Sequence, residues 1–208
     1  MTLRILFTGE GTSDNGLVPH IEMVAAEVGV SAAVTAPDFG RLDTRNCHSV
    51  AEKLKAARWM GDHYDLVIVH RDADRAGRKE RCDEIAQAVL DEWPGCPHIA
   101  VIPVRALEAW LLVDEPGIRR VAENPNGRQR LSLPKAAEVE RIADPKKLLQ
   151  ETLATASGLS GRRLTTFRKR FPRHRHKLLQ ALDSKGAVST LPSWQMFIRD
   201  LNRAIGQC

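Results

Sequence analysis

The chain has 208 residues, of which 43% are hydrophobic and 27% charged, with a formal net charge of +5 and a pI near 9.2. This length and composition predict one globular domain of ordinary size, or one domain with an appendage. They exclude a membrane helix, since no apolar run approaches the roughly 20 residues that a span requires. The positive balance favours an anionic partner.

The N-terminal apolar run and the cysteines indicate the compartment. Residues 3–7 are too short for a signal peptide and lack a small-residue cleavage site, so they predict a first strand. The cysteines show neither CxxC nor zinc-ligand spacing, and we expect reduced thiols. We therefore expect a cytoplasmic protein with no membrane partner. The cysteines are Cys47, Cys82, Cys96 and Cys208.

The first half of the chain alternates between strand and helix patterns. Strands are predicted over residues 3–7, 30–35, 66–69 and 98–104, and helices over residues 17–28, 48–60 and 79–93. This alternation predicts an α/β fold with a mostly parallel four-stranded sheet and helices on both faces. The crossovers are expected to be right-handed.

The second half has a different character. Strand-like runs disappear, and prolines separate helical segments predicted over residues 133–142, 145–156, 174–182 and 193–205. We place a domain boundary near residue 115, which gives an α/β domain over 1–115 and a helical, basic extension over 116–208. The extension is also compatible with packing as one unit with the first domain.

Carboxylates follow three of the predicted strands. Glu10 comes after the first strand, with Asp14 four residues further on. Asp72 and Asp74 follow the third strand, and Glu108 follows the fourth. Parallel strands lie about 4.8 Å apart and end at one edge of the sheet, so these acids can converge there. They predict a site for Mg²⁺ or Mn²⁺, hard cations that bind carboxylate oxygens without His or Cys.

Each acid also has a structural alternative. Asp72 and Asp74 suit a solvated turn, although two acids so close are costly to hold together without a shared cation. Glu10 suits a solvated loop, and Asp14 suits a helix cap. Glu108 lies in an apolar segment. There it is either on the exposed face of a helix or a buried acid that needs a partner or a metal.

Three segments resemble the Toprim domain. Residues 9–14 read Gly-Glu-Gly-Thr-Ser-Asp after a strand, similar to the first Toprim motif, and residues 67–77 resemble the family's Asp-x-Asp motif. Residues 104–111 resemble the Glu-Ala-Trp-Leu segment of small stand-alone Toprim proteins of prokaryotic defence and mobile loci. The resemblance covers roughly the first half of the chain.

The resemblance implies a metal-dependent nuclease. In nucleases of the overcoming-lysogenization-defect type, acids that match Glu10, Asp14, Asp72 and Asp74 bind two metal ions. By this resemblance Glu10, Asp72 and Asp74 are the catalytic residues, and Asp14 and Glu108 complete the metal shell.

Three features depart from the family pattern. Asp14 stands where these nucleases usually have Glu, which shortens the reach toward a metal. The sequence contains no Walker glycine loop. Tyr64, the only tyrosine, precedes its strand, so topoisomerase chemistry is not expected.

Residues 162–177 form a basic run with no acid between the cations. Backbone phosphates are the natural counter-charge, and the Arg fork binds two phosphate oxygens. Phe167 and Phe171 are interleaved and could stack on unpaired bases. The alternative is a solvated helix with Leu164, Phe167 and Phe171 on its core face. The predicted nucleic-acid-binding residues are Arg162, Arg163, Arg168, Lys169, Arg170, Arg173, Arg175 and Lys177.

These features together predict a Toprim-like, Mg²⁺-dependent phosphodiesterase acting on nucleic acid, a nuclease with a role in anti-phage or mobile-element defence. A haloacid-dehalogenase-type phosphatase also uses Asp-x-Asp after a strand. That class has Thr or Val directly after the second acid, where this chain has Arg75. A third hypothesis is a non-catalytic nucleic-acid-binding or adaptor subunit of the same fold, working beside a partner protein encoded nearby.

Overall fold

The computed structural model describes residues 2–41, 48–61 and 63–207. The sheet has the order β2-β1-β3-β4, and all three neighbouring pairs are parallel. The predicted α/β class is therefore confirmed, with a wholly parallel, Rossmann-like sheet. The strands are β1 (Thr2–Thr8), β2 (Ser31–Thr35), β3 (Leu66–His70) and β4 (His98–Val101).

Helices make up most of the remainder of the described chain. α1 (Val18–Glu27), α2 (Val50–Trp59) and α3 (Gly77–Glu92) connect the strands. Two 3₁₀ helices span Thr12–Leu17 and Ala187–Thr190. The later helices are α4 (Glu108–Leu111), α5 (Glu115–Val121), α6 (Ala136–Val139), α7 (Pro145–Ser157), α8 (Gly161–Lys169), α9 (Phe171–Gln180) and α10 (Pro192–Ile205).

Some predicted boundaries differ from the structure. The fourth strand ends at Val101 rather than residue 104, because Pro103 has no N–H to donate to a ladder. The helix predicted over 133–142 is confined to α6, which begins just after Pro134. In the described part of the chain, no helix combines the length and the apolar character needed to cross a membrane. Cys82 and Cys96 form no disulfide bond among the described residues, whereas Cys47 and Cys208 lie outside them.

The sheet separates two hydrophobic clusters. Leu66 and Ile68 belong to the cluster that contains residues of α1, α4 and the C-terminal helices. Val67 and Val69 belong to the other cluster, with residues of α2 and α3. Every residue of β3 is buried, as expected for a central strand covered on both faces.

The helices after residue 115 pack onto the first half of the chain. Trp110 Nε1 donates a hydrogen bond of 2.7 Å to Ser193 Oγ, and its ring contacts those of Trp194 and Phe197. A Cβ on Gly16 would lie 2.9 Å from the carbonyl oxygen of His176, so the glycine permits the close approach of α9 to the first 3₁₀ helix. This approach brings α9 to the carboxyl edge of the sheet.

The buried His20 gives a pH prediction. Its Nε2 lies 2.7 Å from the carbonyl oxygen of Leu179, and burial lowers the pKa of His20 although this hydrogen bond opposes the shift. The unfolded chain therefore takes up the proton at higher pH than the folded one. The stability contribution of neutral His20 is complete above the unfolded pKa of about 6.5 and is lost as the pH falls. Urea denaturation between about pH 7 and pH 5 should show a steeper loss of stability for wild type than for His20→Gln. Equal slopes would contradict this account.

Candidate functional site

A buried chain of alternating charges crosses the carboxyl edge of the sheet. His70, the last residue of β3, lies between two carboxylates: its Nδ1 is 3.0 Å from Asp14 Oδ2 and its Nε2 is 3.2 Å from Asp72 Oδ1. Arg175 of α9 binds Asp14 Oδ1 through Nη1, and its Nε donates to Glu108 Oε1 at 2.8 Å. The most exposed of these five side chains, Asp72, is 16% exposed. The order along the chain of charges is Asp72, His70, Asp14, Arg175, Glu108.

The pKa values follow from this arrangement. Burial alone would lower the pKa of His70, but the carboxylates of Asp14 and Asp72 raise it to about 10. Burial alone would raise the pKa of Asp14, but His70 and Arg175 hold it well below its usual range. At neutral pH His70 is therefore an imidazolium that donates to Asp14, and Asp14 is ionised.

The loop after β1 wraps around the Asp14 carboxylate. Asp14 Oδ2 accepts hydrogen bonds from the backbone N–H groups of Glu10, at 2.8 Å, and Gly11, at 3.1 Å. A Cβ on Gly9 would lie 2.5 Å from the Asp14 Cβ, so the position excludes a side chain. Lys53 of α2 donates to the carbonyl oxygens of Gly9 and Glu10, at 2.7 and 3.0 Å. These contacts fix the backbone that carries Glu10.

Glu10 and Asp72 meet at the ends of β1 and β3. The Asp72 N–H donates to Glu10 Oε1 at 3.2 Å, and Arg71 Nε lies 3.5 Å from the same oxygen. Burial, and next the charge of Asp72, raise the pKa of Glu10. Asp72 Oδ1 also accepts a hydrogen bond of 3.0 Å from the N–H of Leu107, which ties the β3 loop to the β4 loop.

Asp74 lies at the same edge in a strained backbone. Asp74 and Arg105 both have positive φ, +48° and +67°, a region that non-glycine residues rarely adopt. The Asp74 N–H donates to the Arg105 carbonyl at 3.1 Å, and Arg105 Nη1 donates to the Asp74 carbonyl at 3.2 Å. The Asp74 carboxylate is 60% exposed, with Arg81 Nη2 3.7 Å away. Such strain persists only where neighbouring contacts hold it, commonly at functional sites.

The five predicted acids differ in how closely the structure brings them together. It brings Glu10, Asp14 and Asp72 together, and it connects Glu108 to them through Arg175. Among the described residues, no group of three or more His, Cys, Asp and Glu side chains is arranged to hold a metal ion. The metal-binding role of the acids thus stays a prediction.

Sequence reasoning missed the roles of two cations. His70 is an ionisable residue in an otherwise apolar strand, which signals a buried partner. Arg175 is predicted from the sequence to be one of the surface cations that bind nucleic acid. Its spacing from Phe171, Leu178 and Leu179 places it on the buried face of α9, and that spacing is visible in the sequence.

The basic run divides into a surface and an interior part. Arg175 is 8% exposed and is bound to carboxylates, so it does not belong to the surface on which it was predicted. Phe167 and Phe171 are mostly buried in the hydrophobic core, as the core-face alternative predicts. The other cations are exposed, and no carboxylate in the described chain pairs with any of them. We call these seven residues the basic surface: Arg162, Arg163, Arg168, Lys169, Arg170, Arg173 and Lys177.

Comparison with known proteins identifies a family. No curated protein and no solved structure matches the chain. A family model described as Domain of unknown function (DUF4276) matches residues 15–202, from the first 3₁₀ helix to α10. The match includes Asp72, Asp74, Glu108 and Arg175. Because it covers far more than half of the sequence, the chain belongs to the family described as Domain of unknown function (DUF4276).

Proposed function

We propose that this protein is a Mg²⁺-dependent, Toprim-like phosphodiesterase that cleaves nucleic acid, with a role in defence. The observation that carries the proposal is the pairing of Glu10 with Asp72 at the carboxyl edge of the sheet. Asp72 raises the pKa of Glu10, which means that the two carboxylates repel each other. A divalent cation shared between them removes this repulsion.

Glu10 and Asp72 each keep one carboxylate oxygen for such an ion. One oxygen of each carboxylate is engaged, since Glu10 Oε1 accepts from the Asp72 N–H and Asp72 Oδ1 faces Leu107 and His70. The second oxygens of Glu10 and Asp72 would hold the ion together with waters, since Mg²⁺ commonly takes one or two carboxylates and keeps several waters. When bound, Mg²⁺ supplies positive charge to the phosphoryl oxygens.

The surrounding residues have roles of their own. Burial, and next the charge of Asp72, raise the pKa of Glu10, which is the direction expected of a carboxyl group that exchanges a proton with a substrate. Arg71 contacts the Glu10 carboxylate, and Arg81 donates to the carbonyl oxygen of Asp72. Arg75 and Arg105 belong to the same loops and are exposed. A phosphodiester bound at this edge of the sheet would therefore lie near several cations.

The seven residues of the basic surface support a nucleic-acid partner. Unpaired cations gain from phosphate contacts because each contact releases condensed counterions, which makes binding salt-dependent. Arg175 contributes by positioning the carboxylates and not by binding phosphate. Its Nε already donates to Glu108, and its Nη1 already donates to Asp14.

Removing part of the basic surface should flatten the salt dependence of binding. We expect Lys169→Ala with Arg173→Ala to reduce the slope of log affinity against log salt by about 2, at about 0.9 per phosphate contact. The control is Lys55→Ala with Arg203→Ala, two exposed cations on α2 and α10. Fluorescence anisotropy across a salt series measures both slopes. Equal changes in the two double variants would argue against the basic surface as the binding face.

One observation favours the adaptor alternative. Arg175 neutralises Asp14 and Glu108, so these acids have a structural role that requires no metal. A protein in which Glu10 and Asp72 were likewise structural would bind nucleic acid through the basic surface without cleaving it.

The test is cleavage by the purified protein. Circular single-stranded DNA, plasmid DNA and RNA should each be incubated with Mg²⁺, Mn²⁺, Ca²⁺ or EDTA. The proposal predicts cleavage of at least one substrate with Mg²⁺ or Mn²⁺ and none with EDTA. Binding with no cleavage in any metal would support the adaptor alternative.

A further inference from the structure

A cleft of about 240 Å³ opens between α7, α8 and α9, within the basic part of the chain. Its apolar lining includes Leu153, Phe167 and Phe171. The loops that carry Glu10 and Asp72 do not contribute to it. The size and the aromatic lining suit one small planar group better than a longer segment of a ligand.

His174 lines this cleft and carries a buried polar atom. The residue is 7% exposed, and its Nδ1 has no hydrogen-bond partner in the described structure. The ring lies against Phe167, with 4.2 Å between centroids and 30° between planes. Burial lowers the pKa of His174, with nearby cations acting in the same direction and Glu123 opposing it, which favours the neutral imidazole. In that form Nδ1 can donate or accept one hydrogen bond. A buried polar atom without a partner is costly, and a ligand that bonds to it removes this cost.

Positive charge lies beside this polar atom. Lys147 and Arg168 line the cleft and are exposed, which leaves them free to contact an anion. Glu151 is the one carboxylate among the residues that line it in the described chain. The remaining cations of the basic surface continue along α8 and α9. The ligand that fits is therefore planar, carries a hydrogen-bonding edge and is attached to phosphate.

We propose that the cleft binds one unpaired base of a nucleic-acid strand. The base lies along the Phe167 and Phe171 side of the cleft, a rotation of the His174 ring presents Nδ1 to its edge, and Lys147 and Arg168 hold the flanking phosphates. A paired base has its edge occupied by its partner and cannot enter. The protein therefore binds single strands more tightly than duplexes. This inference rests on the nucleic-acid binding of the proposed function, but not on cleavage.

The test measures binding in EDTA, where cleavage cannot contribute. The probes are a fluorescein-labelled oligothymidylate and a labelled hairpin duplex with the same number of phosphates. Wild type should prefer the single strand. His174→Phe keeps an aromatic ring but removes the polar atom and fills the cleft, and it should weaken single-strand binding about tenfold while duplex affinity is unchanged. Lys169→Ala, an exposed cation of α8 outside the cleft, should weaken both probes equally.

A second variant covers the case in which His174→Phe fails to fold. Gln150 is an exposed residue of α7 at the cleft, so Gln150→Trp obstructs the cleft without entering the core, and it should also abolish the preference. Equal affinity of wild type for the two probes would overturn the cleft proposal alone and leave nucleic-acid binding standing. Equal weakening of both probes by His174→Phe or Gln150→Trp would overturn it as well. Absence of binding to either probe would overturn both this inference and the nucleic-acid partner.

Discussion

Arg175→Ala should lower the free energy of unfolding by about 3–5 kcal/mol, because it leaves buried charges without their partner. Asp14 and Glu108 are 2% and 3% exposed, and Arg175 binds both. Without the guanidinium, Glu108 has no side-chain cation within 4 Å in the described structure. The one side-chain cation that then remains within 4 Å of Asp14 in the described structure is His70. Urea denaturation monitored by circular dichroism measures the change.

Two controls separate charge from packing in this prediction. Arg173→Ala, an exposed neighbour on the same helix, should change stability by no more than about 0.5 kcal/mol. Combining Arg175→Met with Asp14→Asn and Glu108→Gln removes all three charges, and it should recover part of the loss. A loss of less than about 1 kcal/mol for Arg175→Ala would show that the ion pairs do not hold α9 to the sheet.

If the proposed function is right, Asp72→Asn should reduce cleavage about a hundredfold at saturating Mg²⁺, since the substitution removes a carboxylate charge from the proposed metal site. The side-chain oxygen of Asn can still accept the hydrogen bond from the Leu107 N–H, so the connection between the β3 and β4 loops persists. Initial cleavage rates across a Mg²⁺ series, with denaturation curves to check the fold, measure the effect.

The matched control for this prediction is Asp91→Asn. Asp91 is an exposed carboxylate near the C-terminal end of α3, whereas Asp72 precedes the beginning of that helix. Its substitution removes the same charge far from the candidate site, and cleavage should stay at the wild-type rate. Wild-type cleavage by Asp72→Asn would exclude Asp72 from the reaction.

The sheet could be predicted because its signals are local. An unbroken apolar run from Leu66 to Val69 is typical of a strand buried on both faces, and β3 is that strand. The meeting of Glu10 with Asp72 follows from the same reasoning, because parallel neighbours β1 and β3 end at one edge.

The charge network could not be predicted in full because it joins distant parts of the chain. Arg175 and Asp14 are 161 positions apart, and no local pattern states which buried acid a buried cation will meet. The structural alternatives for two single acids describe contacts that the structure contains. Glu108 is a buried acid with a partner, and Asp14 binds backbone N–H groups of its own loop, as a capping residue does.

Direct measurement of metal binding tests the central claim most sharply. Mn²⁺ affinity, followed by electron paramagnetic resonance, should be compared for wild type, Asp72→Asn and Asp91→Asn. The account predicts a Mn²⁺ site in wild type and in Asp91→Asn, displaced by excess Mg²⁺ and lost in Asp72→Asn. No Mn²⁺ binding by wild type, or equal binding by Asp72→Asn, would contradict a metal site at the Glu10–Asp72 edge.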